Sequence, residues 1–416
     1  MSVVTTLAVE GCCHGDLDMI YEVLAYSEHN DGLKADFMIC CGDFQAIRTT
    51  EELETLACPP VYRHMKDFHK YWNGERVPRC LTLFVGGNHE APGHLREMFF
   101  GGFAARDIFY FGSAGVFNVN GLRIAGLSGI YKSHDYDKPI FESPPYTEKT
   151  KRSAYHVRRF ELEKLMQIQQ AVDIVVSHDW PTGITDFGDT ETMLRLKDRT
   201  GQLRGEIQTG TLGNPHTMSL LKKLKPKYWF AGHMHIKYSA IYTHEDGSVT
   251  KFLALDKCIP RRPFLQLLTV DSATGAMAPH GERNVPPGRT KVYLDYEWLA
   301  VLKANNGLMP IAGNSSFANR PRAVTQEEVD SVREYILRSS TVEPRPVVGE
   351  NGFVEFPFFG QVTEGDERYR QWICRALGIS DRVAENAQLV VPRAPPTESV
   401  EAHQGGQDIL FFEDNY

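Results

Sequence analysis

Hydrophobic and polar positions fall into alternating blocks along the first two thirds of the chain. Between residue 3 and about residue 270 short apolar runs recur, namely TTLAV, ADFMICC, CLTLFVG, RIAGLSG, VDIVVSHD and KYWFAGHMH. Runs that are apolar at nearly every position are typical of strands covered on both faces of a sheet. The segments between them, such as LDMIYEVLAYSEH and FELEKLMQIQQ, have helical periodicity. The pattern therefore predicts an α/β fold in which a layered β-sandwich is flanked by helices.

A smaller module is predicted after this main domain. Near residues 275–290 the composition shifts to GAMAPHGERNVPPGR, which is typical of a linker. We therefore expect a main domain at 1–275 and a C-terminal module at 285–390. From residue 391 the chain is rich in proline, glycine and acidic residues, so 391–416 is expected to be a disordered acidic tail. Its last residues, DILFFEDNY, are a candidate peptide for a protein partner, although an unstructured tail is the favoured interpretation.

Helices are predicted within the C-terminal module. YLDYEWLAVLKA and RYRQWICRALGI have helical patterns. A further helix is expected to begin at Thr325, because Glu328 completes a capping box with it. Val324 and Val329 stand at the positions of a hydrophobic staple across the same helix start.

Bulk composition narrows the class of protein. Charged residues make up 24% and hydrophobic residues 42% of the 416 positions, as in ordinary globular chains. A net charge of −8 argues against a general nucleic-acid coat protein, so a polyanionic partner needs a local basic patch. Eight cysteines without a C-x-x-C pair indicate a reducing compartment rather than a disulfide framework. With neither a signal peptide nor an apolar run near the ~20 residues of a membrane span, we expect a soluble cytosolic or nuclear protein and no membrane partner.

Five short motifs each follow one of the predicted strands: GCCHGDLD, CCGDFQ, VGGNHEAPG, VVSHDWP and AGHMH. Strand ends are where open α/β folds keep their functional residues, so the motifs are expected to meet at one edge. They carry thiol, imidazole, carboxylate and amide groups, all of which are ligands of first-row metals. The residues are Cys12, His14, Asp43, Asn88, His89, His178, His233 and His235.

Each motif is weak evidence by itself. A single GD is usually a turn, Asn88 alone is typical of a loop cap, and His178 alone of a buried core histidine. Cys12 alone is compatible with a spare thiol beside the site. The joint occurrence at five strand ends favours a metal site, and two ions ~3.5–4 Å apart need a shared carboxylate, for which Asp43 is the candidate.

The order of the motifs resembles a known family. D-x-H, GD, GNHE, H and GHxH form the signature of the calcineurin-like metallophosphoesterases, and four of the five elements stand here unaltered. At the first element Cys12-Cys13-His14 replaces Asp-x-His, and this departure resembles the RNA lariat debranching enzymes. Further matching stretches are GLRIAGLSGIYK, SHDWP, KPKYWFAGHMH and LALDKC. The resemblance covers residues 5 to 270 closely and extends through LDYEWLAVL into the C-terminal module.

The resemblance implies a site and a reaction. Its seven expected metal ligands are Cys12, His14, Asp43, Asn88, His178, His233 and His235. Because cysteine is a soft ligand, we expect a binuclear site holding Fe²⁺, Zn²⁺ or Mn²⁺ rather than Mg²⁺. A hydroxide held by the metals is expected to attack the 2′–5′ phosphodiester at the branch point of intron lariat RNA, with His89 as general acid. The product is linear RNA for turnover and processing. This substrate implies residence in the nucleus, with shuttling to the cytoplasm as an alternative.

Residues 128–158 form a long insertion between a predicted strand and a helix, a length that is often functional. Positions 131–159 hold seven Lys or Arg against four Asp or Glu, with aromatic residues interspersed. Such a loop suits phosphate contacts and base stacking, and it matches the lariat recognition loop of the family; a plain solvated loop is the alternative. The candidate substrate-binding residues are Tyr131, Lys132, Tyr146, Lys149, Lys151, Arg152 and Arg158.

Two other functions fit parts of the same pattern. Another metallophosphoesterase, such as a phosphatase, a cyclic-nucleotide phosphodiesterase or a DNA nuclease, shares the ligands but not Cys12 or the 128–158 insertion. A non-catalytic protein-binding scaffold on this fold is disfavoured, because every expected ligand position holds a competent donor.

Overall fold

The computed structural model describes residues 3–274, 277–278, 285, 290–310, 320–338, 343–349, 351–361 and 366–389. The predicted tail at 391–416 lies outside these residues, as does most of the predicted linker. Among the described residues, no helix combines the length and the apolar character that crossing a bilayer requires.

The strands lie along the whole described chain. They are β1 (Val4–Glu10), β2 (Phe37–Cys40), β3 (Leu81–Phe84), β4 (Gly102–Ala105), β5 (Ile108–Tyr110), β6 (Ala114–Val119), β7 (Leu122–Leu127), β8 (Ile174–Ser177), β9 (Tyr228–Ala231), β10 (Tyr238–Thr243), β11 (Val249–Ala254), β12 (Leu265–Asp271), β13 (Tyr293–Leu294), β14 (Val347–Val348) and β15 (Val354–Glu355). All six apolar runs singled out in the sequence overlap one of these strands, so that prediction is confirmed.

The helices are α1 (Leu17–Asp31), α2 (Thr50–Leu53), α3 (Phe68–Trp72), α4 (Pro92–Glu97), α5 (Ser133–Tyr136), α6 (Glu148–Ser153), α7 (Arg159–Leu165), α8 (Thr190–Lys197), α9 (Gln202–Thr209), α10 (Thr217–Leu224), α11 (Tyr296–Asn305), α12 (Gln326–Arg338), α13 (Arg368–Leu377) and α14 (Arg382–Leu389). Short 3₁₀ turns lie at Pro60–Tyr62, Ile184–Phe187 and Asn306–Leu308. Helix α7 ends earlier than its sequence pattern suggests. Past Leu165 the backbone makes i→i−3 hydrogen bonds, Gln167 to Lys164 and Ile168 to Leu165, which tighten the last turn.

Two sheets form the layers of the fold. One has the strand order β12-β1-β2-β3-β5-β4, and the other has the order β10-β11-β9-β8-β7-β6-β13-β15-β14. They pack on each other through a shared apolar core; for example, the ring of Phe109 in the first sheet meets that of Phe117 in the second edge-on at 4.8 Å. The predicted layered α/β architecture is confirmed. Strands β1, β2 and β3 run parallel, as do β7, β8 and β9, so their carboxyl ends point the same way within each sheet.

The C-terminal region extends the second sheet. Strand β13 pairs with β6, with Tyr293 opposite Asn118 and Leu294 opposite Phe117. The sequence pattern predicts helices in this region, and α11, α12 and α13 confirm them. At the start of α12 the Thr325 amide donates to the Glu328 carboxylate at 2.9 Å, and the Glu328 amide donates to Thr325 Oγ1 at 3.3 Å. This reciprocal pair is the predicted capping box.

Candidate metal centre

The loops that carry the candidate ligands leave strand ends of both sheets. Cys12 and His14 follow β1, Asp43 follows β2, and Asn88 follows β3 in the first sheet. In the second sheet one candidate follows β8 and two follow β9: His178, His233 and His235. Residue 12 also forms a parallel bridge with Lys257, just beyond β11, and this bridge ties the edge of one sheet to the other.

Two glycines are required where these loops approach each other. A Cβ atom on Gly87 would lie 2.2 Å from Asp43 Oδ1, and one on Gly42 would lie 2.2 Å from His178 Nδ1. Gly42 also has a φ of 114°, which residues other than glycine rarely adopt. The small residues in GD and GGNHE therefore let the ligand-bearing side chains converge.

One group of donors surrounds Oδ2 of Asp43. The ligand atoms of Cys12, His14, Asp43 and His235 all lie within 4.8 Å of one another. His14 Nε2 is 3.1 Å from His235 Nε2 and 3.6 Å from Asp43 Oδ2. The Cys12 thiol, which is fully buried, accepts a hydrogen bond from the His233 amide at 3.0 Å.

A second group surrounds the other oxygen of the same carboxylate. His178 Nε2 lies 3.3 Å from Asp43 Oδ1 and 3.2 Å from Asn88 Oδ1. The ring of His233 lies beside that of His178, with 4.9 Å between centroids. His178 is oriented by a 2.8 Å hydrogen bond between its Nδ1 and the Cys41 carbonyl oxygen. The structure thus gathers the other six predicted donors around Asp43, with one carboxylate oxygen facing each group.

The backbone at this edge is held in an unusual conformation. His14, Asp43, His233 and His235 have φ angles of 46°, 48°, 65° and 47°. Non-glycine residues seldom adopt positive φ, and such strain is kept where the surrounding structure requires a side chain to point in one direction. Here it aims four side chains into one cluster.

The electrostatics fit a bound cation. Burial lowers the pKa of His14 and of His233 to about 3, so both rings are neutral with a lone pair available. Burial alone would raise the pKa of the Asp43 carboxyl, but His178 and His89 hold it well below its ordinary value. Burial and the charge of Asp43 together raise the pKa of the Cys12 thiol. A buried thiol and carboxylate side by side are stabilised in their ionised forms by a metal ion, so the donor set fits divalent cations.

His89, the candidate general acid, lies at the rim of the cluster. Its ring is 5.1 Å from that of His14 between centroids, and its side chain is partly exposed. Its amide donates to Asp43 Oδ1 at 2.9 Å, which fixes the backbone between Asn88 and Glu90. The imidazole therefore lies beside the donors while remaining open to a substrate.

Two buried acids beside the ligands were not recognised from the sequence. Glu90 accepts hydrogen bonds from the amides of Phe44, Gln45 and Gly87 at 2.7, 2.9 and 3.0 Å, which ties the loops after β2 and β3 together. Burial raises the pKa of Glu90 to about 8.

The second acid, Asp179, accepts from the Tyr131 amide at 3.0 Å and so anchors the start of the insertion beside His178. Burial raises its pKa to about 6. The only sequence signal for either acid was its place directly after a candidate residue in GNHE and SHD.

The insertion at 128–158 contains α5 and α6, and its two limbs meet where Ile130 bridges His156. Lys149 and Arg152 are exposed on α6, whereas Lys151 is partly buried and pairs with Glu148 at 2.7 Å. Tyr131 and Lys132, both partly exposed, begin the insertion next to the cluster.

Two predicted substrate-binding residues face the interior instead. The Arg158 side chain is 3% exposed; it pairs with Glu142 at 2.5 Å and donates to the Ser153 carbonyl at 3.0 Å. The expectation that Arg158 contacts RNA is therefore not supported, because its guanidinium joins the two limbs of the insertion. The buried hydroxyl of Tyr146 faces a cavity of about 70 Å³ that Glu90 also lines.

Comparison with known proteins gives matches along most of the chain. Residues 5–237, more than half of the chain, match a family model described as calcineurin-like phosphoesterase. Residues 247–354 match one described as lariat debranching enzyme, C-terminal domain.

Curated relatives with the name lariat debranching enzyme are similar to this chain. The protein from Arabidopsis thaliana is 46% identical over 73% of this chain and 69% of its own length. That from Danio rerio is 46% identical over 76% of this chain and 54% of its own length. That from Homo sapiens is 45% identical over 74% of this chain and 55% of its own length. The chain thus spans about half the length of the last two relatives.

Proposed function

Because the chain belongs to the lariat debranching enzyme family of calcineurin-like phosphoesterases, we propose that it hydrolyses the 2′–5′ phosphodiester bond at the branch point of lariat RNA. The observation that carries this proposal is the convergence of six donor side chains on a seventh, Asp43, within the matched residues 5–237. The products are a linear RNA with a 5′-phosphate and a free 2′-hydroxyl at the branch nucleotide.

The seven donors are proposed to hold two divalent cations. Cys12, His14 and His235 face one position, Asn88, His178 and His233 face the other, and Asp43 is shared. The soft thiolate of Cys12 favours Zn²⁺ or Fe²⁺, with Mn²⁺ as the harder alternative, over Mg²⁺. When bound, the two cations supply Lewis-acid chemistry, polarising a water molecule and offsetting charge on the phosphate.

His89 is proposed to donate the proton that the departing 2′-oxygen needs. An alkoxide is a poor leaving group, so a positioned acid adds ~10²–10⁴-fold to the rate. The partly exposed imidazole lies beside His14, and Asp43 fixes its backbone, so it faces the site without taking a place among the donors.

The insertion at 128–158 is proposed to bind the RNA around the branch. Two of its exposed cations, Lys149 and Arg152, lie on α6. Tyr131 and Lys132 lie near the start of the insertion, where Asp179 anchors it beside His178. Positive side chains and aromatic rings suit single-stranded RNA, whose bases are free to stack. We also propose nuclear residence, since excised introns arise there, and a protein partner for the C-terminal tail.

A paired assay tests the proposal. The full chain is incubated with a synthetic branched oligoribonucleotide containing one 2′–5′ bond and with a linear 3′–5′ oligomer of the same composition. The proposal requires cleavage of the 2′–5′ bond and little cleavage of the linear strand. Equal cleavage of both would instead favour a general nuclease, and release of phosphate from small esters alone would favour a phosphatase.

A further inference from the structure

A second group of metal-ligand side chains lies within the insertion, apart from the seven donors. His134 and Asp135 belong to α5, and His156 lies in the other limb, 21 positions after Asp135. One ligand atom from each of the three residues lies within 4.8 Å of the others. The two imidazole rings stand edge to face at 5.5 Å between centroids, with the carboxylate between them.

Two of the three donor–donor distances are close to those around a small tetrahedral cation. Asp135 Oδ2 is 3.3 Å from His134 Nε2 and 2.7 Å from His156 Nδ1. Ligands bonded to zinc at 2.0–2.1 Å with tetrahedral angles lie about 3.3 Å apart. The first pair already has this spacing, and the second needs to open by about half an ångström. Two imidazoles and one carboxylate are also a ligand set that zinc accepts, with water in the fourth position.

Burial and neighbouring charges leave His156 neutral and Asp135 ionised, as binding a metal ion requires. Burial lowers the pKa of His156 to about 4, so its ring is neutral at neutral pH. Burial alone would raise the pKa of Asp135, but Lys138 and His156 lower it to about 2, so the carboxylate is ionised. Lys138 lies at 2.7 Å from Oδ1 of Asp135, away from the oxygen that the two histidines share. Arg158 is a second cation whose charge acts on Asp135 and His156. The positive charges of Lys138 and Arg158 both disfavour a bound metal ion.

Access differs among the three residues in a way that suits reversible binding. Asp135 is 2% exposed. His156 is buried where the two limbs of the insertion meet, at its backbone bridge with Ile130. The side chain of His134 is 58% exposed. An ion from solvent is therefore expected to reach the exposed His134 first. Asp135 and His156, which complete the site, are already held in place.

We propose that His134, Asp135 and His156 bind a zinc ion that clamps the two limbs of the insertion together. The ion bonds to His134 Nε2, Asp135 Oδ2 and His156 Nδ1, and the His156 ring proton moves to Nε2, so the imidazole stays neutral. The clamp fixes residues 130–158 whatever substrate the main site takes, and it is independent of the function proposed above.

Zinc content tests this proposal directly. The full chain is stripped with chelator, loaded with zinc chloride alone, desalted, and its zinc per chain measured by mass spectrometry. Wild type is expected to hold one more zinc ion than the variants His134→Ala and Asp135→Asn. His29→Ala, which removes an exposed histidine on α1, is the matched control and is expected to equal wild type.

Two further readouts keep the result interpretable. Zinc is expected to slow amide hydrogen exchange across 130–158 in wild type but not in H134A, and circular dichroism checks that both variants fold. Anomalous diffraction from zinc-loaded crystals is expected to give a peak between His134 and His156. Equal zinc content in wild type and in both variants, or a zinc-loaded crystal without that peak, overturns the proposal.

Discussion

Arg123 donates two hydrogen bonds of 2.7 Å to the carboxylate of Asp295, from Nε to Oδ2 and from Nη2 to Oδ1. Arg123 lies in β7 of the second sheet, and Asp295 caps α11 of the C-terminal region. Glu297 adds a second carboxylate at 2.8 Å, and all three side chains are buried. The buried Arg123–Asp295 ion pair therefore links α11 of the C-terminal region to β7 of the second sheet.

Arg123→Met is expected to lower the free energy of unfolding by about 3–5 kcal/mol, because it leaves two buried carboxylates without their counter-charge. Urea unfolding followed by circular dichroism measures the change. Arg204→Met is the control, since Arg204 and Glu191 form an exposed pair, typically worth less than about 1 kcal/mol. Equal losses in the two variants would mean that the buried pair does not stabilise the junction.

His89→Ala is expected to retain the metal content of wild type and to lose ~10²–10⁴-fold in kcat on branched RNA, the range of a missing general acid. Metal analysis and single-turnover cleavage, measured on the same preparation, separate binding from chemistry. His64→Ala, which removes an exposed histidine in the loop before α3, is the control and should leave both values unchanged. An H89A chain with wild-type kcat removes His89 from the mechanism.

Neutralising Lys149, Lys151 and Arg152 together is expected to weaken binding of branched RNA and to flatten its salt dependence. Each phosphate contact adds about −0.7 to the slope of log affinity against log salt for single strands. Because Lys151 already pairs with Glu148, the double change Lys149→Gln and Arg152→Gln is expected to produce most of the effect.

Lys222→Gln with Lys223→Gln, two exposed lysines on α10, provides a charge-matched control for that double change. Affinity is measured by fluorescence anisotropy at several salt concentrations. If both pairs of changes alter the slope equally, general surface charge binds the RNA and the insertion has no special part.

Cys12→Asp introduces the aspartate of the D-x-H motif at this position. It is expected to lower zinc affinity relative to wild type and to raise the relative activity with Mn²⁺ or Mg²⁺, because a carboxylate is a harder ligand than a thiolate. Competitive metal titration under anaerobic conditions measures the change. Cys374→Ser, a buried cysteine in α13, serves as the control. Unchanged metal preference in C12D would mean that Cys12 is a spare thiol.

The sequence predicts six of the fifteen strands in the described residues, and the donor set, because these have local signals. Each of the six apolar runs became a strand, and each donor stands within a few residues of a strand end. The burial of Arg158 had no such signal, since its partner Glu142 lies 16 positions away and only the folded insertion joins them. The pairing of β13 with β6 was equally hidden, because a strand of two residues carries no periodicity.

The shared position of Asp43 leads to the most direct test of the central claim. Asp43→Asn is expected to hold two metal ions fewer than wild type and to lose cleavage of the branched oligoribonucleotide, because the carboxylate serves both groups of donors. Wild type stripped by chelator is expected to be inactive and to regain activity with added Zn²⁺, Fe²⁺ or Mn²⁺. A D43N chain with the metal content and cleavage rate of wild type, or a chelated wild type that still cleaves at full rate, would contradict the account.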